Sequence, residues 1–316
     1  MPSIDMPLEQ LRQYKPSLYR PEDFDAFWDQ TTAAAIAQPL NAELIPYSLS
    51  TKGVECFAVR FDGFEGGRIA GWYCRPDSRH PAPGIVFYHG YSNRGARPLE
   101  LLPFASQGFC VLSIDCRGQN GQSQDVADYP EGHSHGWMTQ GIRQPRTYYY
   151  RFVYADALRS LELLARRDEV DPQRLAVSGA SQGGGLALAM AALSDRPLLA
   201  LADIPFLCDF RRGISIAPAG PYLEFASFLR AFPHLHETAI RTLSYFDCLN
   251  LAPWITCRTL IANSLCDDTC PPSTVFAVYH QMSAEKQMEI FPHHRHEVPY
   301  DHTETKFRLL MTQLRP

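Results

Sequence analysis

The chain has no run of roughly eighteen apolar residues, the length that a helical membrane crossing needs. Its first thirty residues lack both the basic start and the apolar centre of a secretory leader, so the reading is of an unexported, cytoplasmic protein. There is no internal repeat and no low-complexity linker, which excludes solenoids and bead-on-string arrays. No basic stripe exists either. The 29 Lys and Arg are interspersed with 34 Asp and Glu for a net charge of −5, which excludes nucleic acid and an anionic membrane surface as expected partners. The nine cysteines are odd in number and scattered, so a disulfide framework is not expected and buried free thiols are. Cys266 and Cys270 have a ligand-like spacing, but no second ligand pair stands near them and Pro271-Pro272 follow directly. No metal is expected there.

What is present is enough chain for a full core. The 316 residues are expected to form one α/β domain over 1–316, with an N-terminal helical extension over about 1–40. Within that extension Phe24, Phe27, Trp28, Thr31 and Ile36 repeat at helical spacing from Pro21 to Ala37, and this helix is expected to lie across the outside of the sheet. Segments 42–50, 54–62 and 67–75 read as leading antiparallel strands, with Gly66-Gly67 as a hairpin turn. After Pro81-Ala82-Pro83 the rhythm changes. Buried strands are expected at Gly84–Tyr88, Phe109–Asp115, Arg174–Ser178, Leu198–Asp203, Thr259–Asn263 and Gln287–Phe291, with helices at 145–167, 182–193, 220–231, 235–246, 272–282 and 302–314. Such alternation calls for a mostly parallel central sheet with helices on both faces. Residues 116–144, rich in Gly, Gln, Asp and His, have no period and read as a long loop, functional or merely solvated.

The most informative stretch is Gly179-Ala180-Ser181-Gln182-Gly183, entered from the apolar run 174–178 and followed by the small residues Gly184 to Ala192. A strand that turns sharply into a helix lifts one serine hydroxyl to the apex, and the flanking glycines let the backbones approach. A glycine-rich turn with a bystander serine is the bland alternative, and the buried helix pattern that continues through Met190 weighs against it.

A serine hydroxyl becomes a nucleophile only when a base takes its proton, so an acid and a histidine are sought downstream at strand ends. Asp267 follows the strand Thr259–Asn263, and Asp268 competes with it because adjacent loop side chains point in different directions. Asp203, at the end of its strand, reads better as a loop or helix-capping residue. His293, His294, His296 and His302 crowd the region after Gln287–Phe291; position favours His296, with His293 and His294 as supporting residues and His302 at the start of the last helix. The oxyanion requires two backbone N–H groups, and Gln182, after the nucleophile, and Tyr91, in the loop after Gly84–Tyr88, meet that need. His89 before them reads as a loop prop rather than a base.

Four separated signatures then converge: Arg117-Gly118-Gln119 before Gly121-Gln122-Ser123, the elbow at 179–184, Asp267 shortly before Cys270-Pro271-Pro272-Ser273-Thr274-Val275-Phe276-Ala277, and His296-Glu297. With the stretch from Gly141 through Tyr148-Tyr149-Tyr150-Arg151 to Asp156-Ala157, the chain resembles carbohydrate esterase family 7 over roughly residues 21–314. These are the acetyl xylan esterases and cephalosporin C deacetylases of the α/β-hydrolase superfamily. The resemblance implies the α/β-hydrolase fold and a catalytic Ser181, Asp267 and His296, choosing Asp267 over Asp268. It assigns no proton transfer to Arg117 or Gln119, which brace loops instead. It also implies a small acetylated substrate, no cofactor, and a ring-like homo-oligomer, commonly a hexamer; the 116–144 loop and the aromatic stretch Tyr148–Tyr154 are candidate interface material, although those tyrosines serve equally well as core residues. The chain departs from the family pattern at Ser92–Pro98 and at Val298-Pro299, both flanking the expected pocket. A general short-chain carboxylesterase, a serine peptidase or amidase, and a non-catalytic binding protein are the rival readings on this fold.

Overall fold

The computed structural model describes residues 4–49, 51–78, 80–129 and 131–315. Among these residues nine strands form a single sheet: β1 (Glu43–Tyr47), β2 (Val54–Asp62), β3 (Arg68–Pro76), β4 (Ala82–Tyr88), β5 (Cys110–Ile114), β6 (Val170–Ala180), β7 (Pro197–Asp203), β8 (Arg258–Ser264) and β9 (Lys286–Phe291). Their order across the sheet is β1-β2-β3-β5-β4-β6-β7-β8-β9. The first three strands join antiparallel, β3 meets β5 antiparallel, and everything from β5 to β9 is parallel. This is the expected mostly parallel sheet with leading antiparallel strands. The expected first strand ran to Ser50, which lies outside the described residues.

The helices in chain order are α1 (Leu8–Leu11), α2 (Phe24–Ala37), α3 (Pro98–Ala105), α4 (Tyr149–Ala165), α5 (Gln182–Leu193), α6 (Phe210–Ile216), α7 (Tyr222–Ala231), α8 (His236–Phe246), α9 (Cys248–Leu251), α10 (Pro272–Gln281) and α11 (Tyr300–Gln313). Strand side chains alternate between two cores. Ile85, Ala176, Leu199 and Leu260 face a layer with Leu101 of α3 and Leu310 of α11, whereas Val86, Val177, Ala200 and Ile261 face the larger layer built on α4 and α5. Period-two alternation of apolar with apolar residues is the mark of strands covered on both faces.

Two expectations about the N-terminal region are corrected. Among the described residues up to position 40, those at Leu8–Leu11 and Phe24–Ala37 are helical, and between them the chain runs as a strap across α6, α9 and α10. Tyr14 donates to Asp209 at 3.0 Å, the Asn250 side chain accepts from Tyr19 N at 3.0 Å, and Gln281 donates to the Pro16 carbonyl at 2.6 Å. In addition, α2 packs principally on α4 rather than across the sheet. Aromatic contacts hold it there: Trp28 stacks on Tyr154 of α4 with centroids 5.7 Å apart, and Phe27 meets Tyr245 and Phe246 of α8 alongside.

Every residue of α4 is buried, its charged ones included, because each finds a specific partner. Arg159 donates to the Ala35, Gln38 and Pro39 carbonyls at 2.6–2.8 Å and to the Asp62 carbonyl at 2.7 and 2.9 Å. It thereby caps the C-terminus of α2, where orphan carbonyls and the negative end of the helix dipole favour a cation. Replacing Arg159 by Met keeps the packing but leaves those carbonyls unpaired. We expect a loss of about 2–4 kcal/mol of stability, read from urea unfolding midpoints; a change below about 0.5 kcal/mol, the scale of an ordinary surface substitution, refutes the capping role.

The strand order also decides where chemistry is possible. The chain leaves β4 for β5 on one side and then returns to place β6 on the other side of β4. Loops after β4 and β6 therefore part company at the carboxyl ends of adjacent strands, where Tyr88 pairs with Gly179, and a crevice opens between them. Tyr91 and Ser181 follow these two strand ends.

Candidate active site

Ser181 stands between β6 and α5 at φ 56 and ψ −120, a conformation outside the ordinary regions for a residue with a Cβ. The fold over-determines it. Ser181 N donates to the Asp203 carbonyl at 2.9 Å, and the Ser181 carbonyl accepts from Phe206 N at 2.9 Å and Gly185 N at 3.0 Å. A Cβ on Gly179 would collide with the Gly183 backbone, and one on Gly183 with the Tyr88 carbonyl oxygen. Glycine at those two positions is what permits so tight a strand-to-helix turn.

The Ser181 hydroxyl lies 2.9 Å from His296 Nε2, and His296 Nδ1 lies 2.8 Å from Asp267 Oδ2. Asp267 is fully buried, and its other oxygen accepts from Thr269 N and Cys270 N, both at 2.8 Å. The carboxylate can then receive only the Nδ1–H of His296, which leaves Nε2 as the lone pair facing the serine. The structure thus brings Ser181, Asp267 and His296 together in the predicted order.

The competing residues are placed elsewhere. Asp268 is paired with Arg295. Asp203 accepts from His302 Nε2 at 2.8 Å and from Lys306, and His302 Nδ1 also meets Glu289 at 2.5 Å. His293 is exposed, and His294 uses its backbone to hold Cys266 N at 3.0 Å. His89 props the loop after β4: its Nδ1–H donates to the Gly90 carbonyl and its Nε2 accepts from Cys116 N, both at 2.8 Å. Burial lowers the His89 pKa, in keeping with this neutral tautomer.

Gln182 opens α5, whose intrahelical ladder begins at Gly185, so its N–H, at the positive end of a helix, has no partner among the described residues. Tyr91 N has no carbonyl partner among the described residues. Both oxyanion candidates are braced from behind. Gln119 accepts from Ser92 N at 3.0 Å and donates to the Gln182 side chain at 2.9 Å, while Tyr150 donates to that same Gln182 oxygen at 2.8 Å. Asp115 holds Gly95 N and Gln122 N, each at 2.7 Å, and so ties the Ser92–Pro98 segment to the long loop.

That loop is packed at its two ends, around Arg117–Gln119 and Met138–Ile142, and partly solvated between them, where Gln124, Val126, Asp128, His133 and His135 are exposed. Arg117 is buried in a bidentate pair with Asp156 at 2.7 and 2.9 Å and donates to the Phe64 carbonyl at 2.9 Å. Met138, Thr139 and Ile142 are buried, and Tyr148 and Tyr149 donate to the Met138 and Arg117 carbonyls. Pro130 of this loop lies outside the described residues. The aromatic stretch Tyr148–Tyr154 therefore belongs to the core, which removes it as interface material; its role at the elbow had no signal in the sequence beyond the run of tyrosines.

Asp267, Cys270 and His296 are the donor set with metal-like proximity, their ligand atoms within 4.8 Å of one another. The residues do not fit a cation well. Both Asp267 oxygens are already engaged, and burial followed by the Asp267 charge holds the Cys270 thiol well above the ordinary range, so it stays protonated. Eight of the nine free cysteines are buried. Among the described residues no helix is long and apolar enough to cross a membrane. A cavity of about 380 Å³ borders the elbow, lined by Gly90, Asn93, Arg94, Ala180, Asp203 and Lys306. A larger one, about 470 Å³, lies at the opposite end of the strands beside Pro172 and Arg196, away from this chemistry.

The family model described as acetyl xylan esterase (AXE1) matches residues 1–313. The acetyl xylan esterase from Paenibacillus sp. R4 is 45% identical and superposes with a TM-score of 0.95, covering 98% of this chain and 100% of that one. Acetyl xylan esterase 1 from Thermoanaerobacterium sp. JW/SL YS485 is 32% identical with a TM-score of 0.94, covering 98% and 99%. Acetyl esterase Axe7A of Xylanibacter ruminicola is 26% identical over 311 residues, 95% of this chain and 69% of that protein. The chain belongs to the acetyl xylan esterase family, carbohydrate esterase family 7, a group of carboxylic ester hydrolases on the α/β-hydrolase fold.

Proposed function

We propose that this protein removes acetyl groups from small acetylated sugars, xylo-oligosaccharides and cephalosporin-type esters through a covalent acetyl-enzyme on Ser181. The observation that carries the reading is the relay from Ser181 through His296 to buried Asp267, at 2.9 and 2.8 Å. Ser181 Oγ bonds to the acetyl carbonyl carbon while its proton passes to His296 Nε2. The oxygen of the tetrahedral adduct receives hydrogen bonds from the Tyr91 and Gln182 N–H groups, aided by the N-terminus of α5. Collapse breaks the bond to the alcohol oxygen, which takes the proton from His296. Water then attacks the acetyl-enzyme, gives a proton to His296, and acetate leaves as Ser181 recovers its hydrogen.

The test is kcat/KM on 4-nitrophenyl acetate, butyrate and octanoate beside acetylated xylobiose, cephalosporin C and an aminoacyl anilide. A steep fall beyond acetate with turnover of the sugar and cephalosporin esters is the expected outcome. Rates that hold or rise with chain length refute the deacetylase reading in favour of a general carboxylesterase, and preferential cleavage of the anilide refutes it in favour of a peptidase.

A further inference from the structure

Tyr91 is read above only through its backbone N–H, yet its side chain is held more tightly than that role requires. Its ring stands edge-on to Trp137, with centroids 5.4 Å apart at 82°, and to Phe206 at 6.5 Å and 64°. Its hydroxyl lies 2.8 and 2.9 Å from the two carboxylate oxygens of Glu224 on α7. The same hydroxyl accepts from Trp137 N at 2.7 Å, and Glu224 Oε2 accepts from Met138 N at 3.1 Å. One carboxylate thus closes a hydrogen-bonded ring through Tyr91, Trp137 and Met138. The backbone at Gly136, at φ +89, runs so close over Glu224 that any Cβ there would collide with the carboxylate.

The ring needs an acceptor at position 224: the Glu224 carboxylate accepts from the Tyr91 O–H and, at Oε2, from Met138 N. Burial raises the Glu224 carboxyl, and the Tyr91 and Met138 hydrogen bonds oppose that shift by favouring the charged form. On the far side of Tyr91 the next residue, Ser92, sits at φ 54 with its N–H on Gln119. The Tyr91 backbone is therefore pinned at its side-chain end by Glu224 and at its following peptide by Gln119, and its own N–H has no partner among the described residues.

We propose that Glu224 is a positioning residue for ester hydrolysis, aiming the Tyr91 N–H at the oxyanion by anchoring the Tyr91 hydroxyl and the Trp137-Met138 segment to α7. This rests on the oxyanion role of Tyr91 proposed above. Glu224 touches neither Ser181 nor His296 in any hydrogen bond described, so it acts through geometry and not through proton transfer. It also gives the long loop a function: Trp137 and Met138 are the part of it that completes the oxyanion support.

The experiment compares wild type, Glu224→Ala, Tyr91→Phe and the double variant. Each is assayed with 4-nitrophenyl acetate and with trifluoroacetone, whose free, unhydrated carbonyl adds the active serine oxygen to give a hemiketal oxyanion. Losing an oxyanion donor outright costs about 10²–10³ in kcat. A misaimed donor should cost about 10- to 100-fold in kcat with KM within about two-fold, and the trifluoroacetone Ki should rise in step. The double variant should be no worse than the more damaged single one, because both remove the same link. Tyr91→Phe keeps the backbone N–H and the aromatic ring, so it tests the link even where Glu224→Ala lowers stability. Unchanged kcat in both single variants, a Ki that does not follow kcat, or additive losses each overturn the proposal. Ser181→Ala run alongside separates the two readings: if it stays active, the catalytic reading fails; if it is inactive while the Glu224 variant is normal, only this inference fails.

Discussion

Ser181→Ala should lower kcat on an acetyl ester by about a million-fold, the size of loss that follows when the nucleophile of a serine triad is removed. The hydroxyl's described hydrogen-bond partner is His296 Nε2, and nothing nearby replaces it. The adjacent Cys270 thiol is kept protonated by burial and by Asp267, which leaves it a poor substitute nucleophile. The fold should survive the change. Alanine carries the same Cβ at the same φ 56, and the backbone bonds from Ser181 to Asp203, Phe206 and Gly185 are untouched. What activity persists comes from substrate binding and the Tyr91 and Gln182 donors acting on a water attack. The measurement is steady-state turnover of 4-nitrophenyl acetate at high enzyme concentration, with circular dichroism as the folding control. Activity within ten-fold of wild type means that another residue is the nucleophile.

Asp267→Asn is expected to cost about 10⁴-fold in kcat with little effect on stability. The reason lies in which way the new amide must turn. Oδ1 of Asp267 accepts from Thr269 N and Cys270 N, so the asparagine carbonyl must occupy that side and its NH₂ must face His296 Nδ1. Facing a donor, the imidazole must present Nδ1 as acceptor and carry its proton on Nε2, where it can no longer receive the Ser181 proton. The tautomer is wrong and the geometry is intact. Asp268→Asn is the matched comparison, since Asp268 pairs with Arg295 and makes no contact with the imidazole among the bonds described. Its kcat/KM should stay within a few-fold of wild type. If the two variants exchange these behaviours, the acid of the relay has been misassigned.

Much of the architecture was legible because it is local. The strands from β4 to β9 were readable as short apolar runs, and the structure moves their ends by one or two residues except in β6, which begins back at Val170. The helices α3 and α6 were not read. Pro103 inside α3, and the short span of α6 with Gly213 inside it, argue against a helix by propensity, and tertiary packing overrides that preference. The position of α2 was misjudged for a related reason. An amphipathic pattern says that one face is buried, not which surface covers it, and here the cover is α4 through Tyr154 together with α8 through Tyr245.

The sequence by itself determined the turn at Ser181, the alternation that builds a two-faced parallel sheet, and the residue types available as acid, base and oxyanion donors. All of these depend on neighbours a few positions apart, through backbone sterics and side-chain period. Only the tertiary structure decided that Asp267 and not Asp268 reaches the imidazole, that the Tyr148–Tyr154 stretch belongs to the core, and that Glu224 meets Tyr91 across 133 positions of chain. Those outcomes depend on how strands cross over at the β4–β6 switch and on which way a loop side chain turns, and distant segments must meet before either is defined.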